Sequence, residues 1–277
     1  MRAAWIGVLV IGVAQWTAAL AQDTPAPCGT PPEGMVCIPG GWYERGSDTG
    51  PDNARPAMKV WVDTFYMDVY EATFKEYSDC VSLKKCEKAG PQYQDFNRPR
   101  QPITGISWYD ADTFCKAHGK RLPTEAEWER AARGPDNKLH WWGDEPATCE
   151  RAVIMDKTGR GCGTPKKGGS PEKGRPLVVG SRPVDPWGMY DILGNSWEWV
   201  ADWYAPSYAA CGEACAGRNP KGPCGGAEKC PGNRQKLVRG GSWFWPASYA
   251  TGIWRRPHVA TNRPFHHFGF RCAQDLK

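Results

Sequence analysis

The sequence has little net charge and no long run of basic residues. Its 35 Lys and Arg nearly balance 30 Asp and Glu, which leaves a formal net charge of +5 over 277 residues. Proteins dedicated to binding nucleic acid normally carry a basic stripe or patch on one face. The composition therefore argues against that class of protein, and we expect no nucleic-acid partner.

The sequence also lacks an apolar segment long enough to cross a membrane. Residues 3–14 follow Arg2 and are 12 uncharged, mostly apolar residues, whereas a membrane-spanning helix needs about 20. Ala19 and Ala21 then place small residues at the two positions that determine signal-peptide cleavage. We interpret residues 1–21 as a secretory signal peptide, with an uncleaved N-terminal anchor as the alternative. The mature protein would be secreted or periplasmic and would have no transmembrane segment.

Internal repeats and a linker between two cores are absent as well. The 32 Gly and 25 Pro exclude a chain made mostly of long helices, because Gly costs backbone entropy and Pro removes a hydrogen-bond donor. Residues 22–34 form a polar, Pro-rich leader that we expect to be mobile. Residues 35–277 are predicted to form one α+β domain of short elements around a core rich in Trp.

Local patterns predict three short helices and three strand regions. The helices begin at Thr73, Ser107 and Thr124 and end near Leu83, Gly119 and Arg133, and strands are expected within residues 60–68, 237–243 and 268–272. Residues 135–187 show little periodicity. We interpret the three glutamates at the start of the third helix, Glu125, Glu127 and Glu129, as structural, since carboxylates suit the positive end of a helix dipole.

What the chain does have in quantity is cysteine. An even number, 12, indicates disulfides rather than zinc in an exported protein. Three pairs are close in sequence and predict local bridges, namely Cys28 with Cys37, Cys80 with Cys86, and Cys149 with Cys162. A further group contains Cys211, Cys215, Cys224 and Cys230 and leaves three disulfide pairings open. Zinc binding is a less favoured alternative for this group, because its spacing matches no common zinc finger. Two cysteines, Cys115 and Cys272, remain far apart.

Six sequence segments occur in an order and spacing typical of one family. They are residues 35–41, 45–47, 119–129, 194–199, 239–243 and 269–272. The chain resembles the formylglycine-generating enzymes, also called sulfatase-modifying factors, over about residues 35–273. The resemblance implies a compact, irregular α+β fold related to C-type lectins and a disulfide between Cys115 and Cys272. Members of this family oxidise a Cys in a sulfatase peptide to formylglycine, using copper, oxygen and a pair of thiols.

The thiol pair of the family has no counterpart in this chain. In the family, the first active Cys lies three residues after the Ser of a Gly-Gly-Ser motif, and the second lies five residues further on. Counted from Ser242, these positions hold Trp245 and Ala250, and Ser248-Tyr249 supports that register. Copper(I) prefers soft thiolate ligands, so the resemblance without the thiols predicts neither copper nor formylglycine formation.

The resemblance also implies a structural calcium site. Its ligands would be the side chains of Asp191 and Glu198 and the backbone carbonyls of Gly194 and Ser196, and oxygen is the ligand atom that calcium prefers. The alternative is that Glu198 pairs with a basic residue and binds no metal. A second calcium site of the family would fall within about residues 147–179, but the cysteines of that region disturb the match and we do not predict it.

Three functional hypotheses follow from these observations. The first is a monomeric, exported family member that binds a peptide or protein ligand in a groove formed near Trp197, Ser242, Trp245 and Tyr249. The second is an oxidoreductase of different chemistry on the same fold, for which an iron site of two His and a carboxylate would have to use His258, His266 or His267. The third is a true formylglycine-generating oxidase whose thiols lie elsewhere in the chain.

Overall fold

The computed structural model describes residues 23–263 and 266–276. The predicted signal peptide, residues 1–21, lies outside these described residues. Within them, no helix is both long and apolar enough to cross a bilayer.

The described residues contain ten strands in three small sheets. The strands are β1 (Met35–Ile38), β2 (Gly41–Arg45), β3 (Met58–Val62), β4 (Phe65–Asp68), β5 (Trp197–Trp203), β6 (Gly217–Arg218), β7 (Gln235–Arg239), β8 (Arg256–Val259), β9 (Phe268–Gly269) and β10 (Ala273–Asp275). The sheet orders are β1-β4-β10, β2-β3-β6 and β8-β7-β5-β9. The β3–β6 and β5–β9 pairs are parallel, and the other pairs are antiparallel.

The same part of the chain forms four α-helices, and the three predicted helices are confirmed. They are α1 (Phe74–Ser82), α2 (Trp108–Ala117), α3 (Glu125–Arg133) and the short α4 (Tyr208–Cys211). The first three begin with capping boxes at Thr73, Ser107 and Thr124. In each, the hydroxyl of the cap residue accepts from the backbone N–H three residues later, and the acidic side chain of that later residue accepts from the backbone N–H of the cap residue. These bonds satisfy backbone donors that the helix itself leaves without acceptors.

The strands are shorter than the sequence predicted. Residues 60–68 hold parts of two strands, β3 and β4, which belong to different sheets. The strand predicted over 237–243 stops at the end of β7, because Gly240 and Gly241 have φ of 95° and 78°, outside the range of a strand. Of the region 268–272, the first two residues form β9.

All twelve cysteines are paired in six disulfides. The three local bridges and the Cys115–Cys272 bridge form as expected. The group of four resolves into Cys211–Cys215 and Cys224–Cys230, which leaves no thiolate for zinc. The bridge within residues 135–187 closes part of a stretch that contains neither an α-helix nor a strand.

The described part of the leader, residues 23–34, packs against the domain. A disulfide joins Cys28 of the leader to β1. Thr64 donates a hydrogen bond from its hydroxyl to the carbonyl of Ala26 at 2.5 Å, and the Trp42 indole donates to Asp23 at 3.2 Å. A disulfide and side-chain hydrogen bonds therefore attach this segment at several points along its length.

Helices α2 and α3 are both fastened to strand β5 by tryptophan. The Trp108 indole of α2 donates to the carbonyl of Val200 at 2.8 Å. The Trp128 indole of α3 donates to the Glu198 carboxylate at 2.8 Å. Because buried indole N–H groups need acceptors, these bonds fix the two helices on the sheet that carries the candidate site.

A network of buried ion pairs surrounds the start of α3. The Glu125 carboxylate contacts Arg45 at 2.5 Å, Arg239 at 2.6 Å and Arg255 at 2.7 Å, and Glu129 contacts Arg239 at 2.8 Å. All five side chains are almost wholly buried. Burial alone would raise the pKa of Glu125, but the three guanidinium groups lower it to about 2. These glutamates have a structural role that depends on distant arginines.

Candidate functional site

The turn after β7 places the two positions of the missing thiols on either side of one short 3-10 turn. A Cβ atom on Gly241 would lie 2.8 Å from the Cα of Ala250, so this close approach of two backbones requires glycine. The backbone N–H of Trp245 donates to the carbonyl of Ser242 at 3.1 Å. The 3-10 turn Ala247–Tyr249 then leads to Ala250. This compact turn follows Gly240-Gly241-Ser242, where the family register was expected to start.

Neither of these positions offers a nucleophile. Ala250 is fully buried, whereas Trp245 is partly exposed. The nearest cysteines along the chain, Cys230 and Cys272, are both in disulfides, and no free cysteine occurs in the described residues. The two positions at which the sequence analysis expected the family's thiols therefore offer no thiolate, which is the reactive and metal-binding form of Cys.

Four aromatic side chains come together here, and we call them the aromatic cluster. They are Trp197, Trp245, Tyr249 and Trp254, and the Tyr249 ring centroid lies 6.3, 5.0 and 4.5 Å from those of the three tryptophans in that order. Trp197 is wholly buried and forms the floor of the cluster. Ser242, expected in the groove, is also 0% exposed, so it supports the turn and does not line the surface.

Arg256 adds a positive charge to the aromatic cluster. Its guanidinium carbon lies 4.6 Å from the Trp245 ring centroid and 5.7 Å from that of Trp197. The side chain is half-buried, and burial lowers its pKa below the ordinary value, although an arginine stays charged at neutral pH. Among the described residues, this guanidinium makes ring contacts but no hydrogen bond or ion pair.

The late histidines do not assemble an iron site. Burial, followed by the charges of Arg160 and Lys166, lowers the pKa of His266 to about 4. Burial also lowers the pKa of His267 to about 2, with His266 and Arg256 adding to the effect. No group of three or more His, Cys, Asp or Glu side chains in the described chain is arranged to hold a metal ion. The arrangement of His258, His266 and His267 thus gives no support to the iron hypothesis.

The loop predicted to bind calcium presents one free carboxylate oxygen. Asp191 and Gly194 have φ of 55° and 88°, so the chain turns tightly before it enters β5. One oxygen of Asp191 accepts from the backbone N–H of Gly180 at 2.6 Å, and the other is buried without a hydrogen-bond partner among the described residues. Burial raises the pKa of Asp191 to about 6. Asp191 therefore fits the role of a cation ligand.

Glu198 adopts the alternative arrangement and pairs with a basic residue. Arg271 donates to its two oxygens at 2.7–2.9 Å, and the Trp128 indole donates to one of them at 2.8 Å. Both oxygens are thus committed in the structure. The expectation that Glu198 offers its side chain to calcium does not fit this geometry.

The surroundings of Asp191 have more negative than positive charge. Glu71, which the sequence motifs did not single out, is wholly buried, and one of its oxygens has no hydrogen-bond partner in the described chain. Burial raises its pKa, and the carboxylates of Asp191 and Glu198 raise it further. Arg271 faces all three carboxyl groups and Arg182 also faces Asp191, so two positive groups face three carboxyl groups.

Comparisons with known proteins bear on the family of this chain. The model of the sulfatase-modifying factor enzyme 1-like domain matches residues 21–276. The formylglycine-generating enzyme of Thermomonospora curvata is 34% identical over 88% of this chain and 94% of its own. The mouse protein named inactive C-alpha-formylglycine-generating enzyme 2 is 26% identical over 86% of this chain and 85% of its own.

A solved structure has the same fold. PvdO from Pseudomonas aeruginosa superposes with a TM-score of 0.68 at 23% identity, covering 87% of this chain and 94% of PvdO. The family model spans nearly the whole chain, and the Thermomonospora curvata relative is more than 30% identical over most of both chains. The chain therefore belongs to the formylglycine-generating enzyme family, also called the sulfatase-modifying factors.

Proposed function

We propose that this chain is an exported member of the family that forms no formylglycine and instead binds a peptide or protein ligand at the aromatic cluster. The observation that carries the proposal is the replacement of both thiols by Trp245 and Ala250 while every cysteine is held in a disulfide. A locked cysteine cannot supply the thiolate that the oxidation needs. The mouse relative bears a name that describes it as inactive.

The residue types at the cluster support ligand binding. Trp, Tyr and Arg contribute most to the binding energy of protein interfaces, because they bury a large area and also carry a polar group. Trp245, Tyr249 and Arg256 are all partly exposed, so their surfaces remain open to a ligand in the described structure. The same place is where the family resemblance locates the reacting groups.

Export is supported by the number of disulfides. Six disulfides form reliably in an oxidising compartment and are rare in the reducing cytosol. Together with the predicted signal peptide at residues 1–21, they favour a secreted or periplasmic protein.

The absence of formylglycine formation is tested directly. Purified protein with intact disulfides is incubated with a sulfatase-type Cys peptide, copper and oxygen, and the peptide mass is measured. We expect no formylglycine product, whereas the Thermomonospora curvata relative named above serves as the positive control on the same peptide. Product that disappears when one of this chain's own cysteines is replaced would overturn the proposal.

Calcium binding is the second part of the proposed function. Asp191 would hold the ion by its free side-chain oxygen, with the backbone carbonyls of Gly194 and Ser196 as further oxygen ligands. The buried Asp191 oxygen that has no hydrogen-bond partner among the described residues supports a cation there. In this proposal Glu198 stays with Arg271 and contributes its charge at a distance from the ligand set.

Calcium removal is expected to lower the melting temperature. An ion that binds the native state at 100 times its dissociation constant stabilises it by about 2.7 kcal/mol, which corresponds to about 5–10 °C in a domain of this size. The Asp191→Asn variant should lose this sensitivity to chelator, as measured by thermal unfolding of calcium-loaded protein with and without EGTA.

Asp185→Asn is the matched control for that experiment. Asp185 is another buried aspartate with one oxygen that has no partner among the described residues, and burial likewise raises its pKa to about 6. It lies outside the predicted ligand set, so this variant should keep the response to chelator. Equal melting of the calcium-loaded wild-type protein with and without chelator would exclude the site.

A further inference from the structure

A second arginine lies beside the aromatic cluster without an acidic partner. The guanidinium carbon of Arg160 is 3.6 Å from the Phe244 ring centroid, and that ring is 5.7 Å from the Trp245 ring. Arg160 and Arg256 both contribute to the low pKa of His267, which places them around the same point. In the described residues, neither side chain makes an ion pair.

The fully buried and the half-buried arginines of this protein differ in their charge partners. The fully buried arginines of the core, Arg45, Arg239, Arg255 and Arg271, each contact a carboxylate. Arg256 is half-buried, where removal of water makes an unpaired charge costly. Half-buried Arg130 likewise lies over aromatic rings without an ion pair in the described chain. The lack of a counter-ion is therefore not peculiar to Arg256, but it leaves this guanidinium, which borders the aromatic cluster, able to pair with a negative group of a ligand.

The remaining polar groups of the cluster also lack acceptors. The indole N–H groups of Trp197 and Trp245 are buried and have no hydrogen-bond partner in the described structure. Indole and guanidinium groups are donors only. A ligand cannot reach these two inaccessible indole groups, so the donors open to it are the guanidinium groups of partly exposed Arg160 and Arg256, and a carboxylate is the acceptor-only group that peptides offer.

Building on the proposed peptide-binding function, we propose that the ligand is an acidic peptide segment, in which an Asp or Glu side chain pairs with Arg256 while a neighbouring apolar side chain packs on Trp245 and Tyr249. Arg256 already lies against the Trp245 ring, and a guanidinium in that position can still donate two parallel bonds to a carboxylate. Arg160 extends the positive field toward Phe244 and selects against basic segments.

The first experiment selects peptides without assuming their sequence. A phage library of random 12-residue peptides is panned against the wild-type protein, the Arg256→Met variant and the Arg218→Met variant. Arg218 is the control because it also lies over a tryptophan, Trp61, but belongs to another sheet. We expect peptides with Asp or Glu beside an apolar residue to be enriched by the wild type and by Arg218→Met, and to be lost with Arg256→Met.

The second experiment measures the affinity of one selected peptide by titration calorimetry. Changing its acidic residue to Gln should weaken binding by about 10- to 100-fold, the range for one hydrogen bond to a charged group, and changing it to Lys should weaken binding further. Arg256→Lys should bind with intermediate affinity because it keeps the charge but loses the planar fork. This conservative variant and the Gln peptide test the pairing even if Arg256→Met folds poorly.

The outcomes separate the inference from the function on which it rests. If the wild type enriches no peptide, or if Trp245→Ala leaves binding unchanged, the peptide-binding function itself is wrong. If selected peptides need Trp245 but are neutral or basic, the function stands and the acidic specificity is wrong. If the Gln peptide binds as tightly as the acidic one, the carboxylate does not pair with Arg256.

Discussion

Replacing Glu125 with Gln is expected to lower the free energy of unfolding by about 3–5 kcal/mol, because it leaves buried arginines without their counter-charge. Glu125 contacts Arg45, Arg239 and Arg255 at 2.5–2.7 Å, and all three guanidinium groups are inaccessible to water or nearly so. Glu129 pairs with Arg239 and buried Asp202 faces Arg45, but these two carboxyl groups cannot balance three positive charges. The loss is measured by guanidinium-induced unfolding at neutral pH with the disulfides intact.

Glu127→Gln provides the control on the same helix. Glu127 pairs with the partly exposed Arg121 and completes the capping box with Thr124. Because Gln can still accept in a capping box, the variant loses mainly the ion pair and should cost about 1 kcal/mol. If Glu125→Gln costs no more than this control, the buried network does not stabilise the protein as we argue.

The same network predicts the pH dependence of stability. Arginine contacts lower the pKa of Glu125 to about 2 in the folded protein, against about 4.3 in an unfolded chain. The stability that the ionised Glu125 carboxylate gives the folded protein is therefore fully present above about pH 4.3 and is lost as the pH falls through 2. Gln does not titrate, so the Glu125→Gln variant should lack the part of the acid-induced loss of stability that comes from protonation of Glu125.

The sequence predicted those parts of the fold that depend on local chemistry. Thr73, Ser107 and Thr124 predict the starts of helices, because the two residues of a capping box lie only three positions apart in the sequence. Glycines at 240 and 241 are equally local, yet their positive φ ended a strand that the apolar pattern extended to Trp243. The apolar pattern therefore misplaced the end of this strand because it does not report the backbone conformation of the two glycines.

The candidate site was predictable only in part, because its partners come from distant parts of the chain. The register from Ser242 placed Trp245 and Ala250, but nothing in the motifs pointed to Arg256, which faces them from the next strand. Glu198 likewise meets Arg271 across 73 residues. Such pairings are tertiary contacts, and the local patterns of a single sequence do not reveal them.

The motifs that carry the family resemblance include the buried ion pairs. Glu125 lies in one motif, Arg239 in another, and Glu198 and Arg271 in two more, and all four are buried and paired. These residues hold the fold together independently of the thiols. The family fold therefore does not depend on the thiols, as the proposed ligand-binding function requires.

Loss of the Cys115–Cys272 bridge should produce the second large effect. It joins residues 157 apart, from helix α2 to the segment before β10, and both sulfurs lie in the main hydrophobic core. In the chain-entropy model, a loop of that length stabilises the folded state by about 4–5 kcal/mol. The double variant Cys115→Ala/Cys272→Ala should unfold at correspondingly lower denaturant concentration, with the other bridges confirmed by mass.

The double variant Cys211→Ala/Cys215→Ala is the matched comparison, because the same chemical change removes a bridge that spans only four residues. The same entropy model assigns that bridge about 2 kcal/mol, so the long bridge should cost at least about twice as much to remove. Equal losses for the two variants would show that local packing around each sulfur, rather than loop length, sets the contribution of a disulfide in this fold.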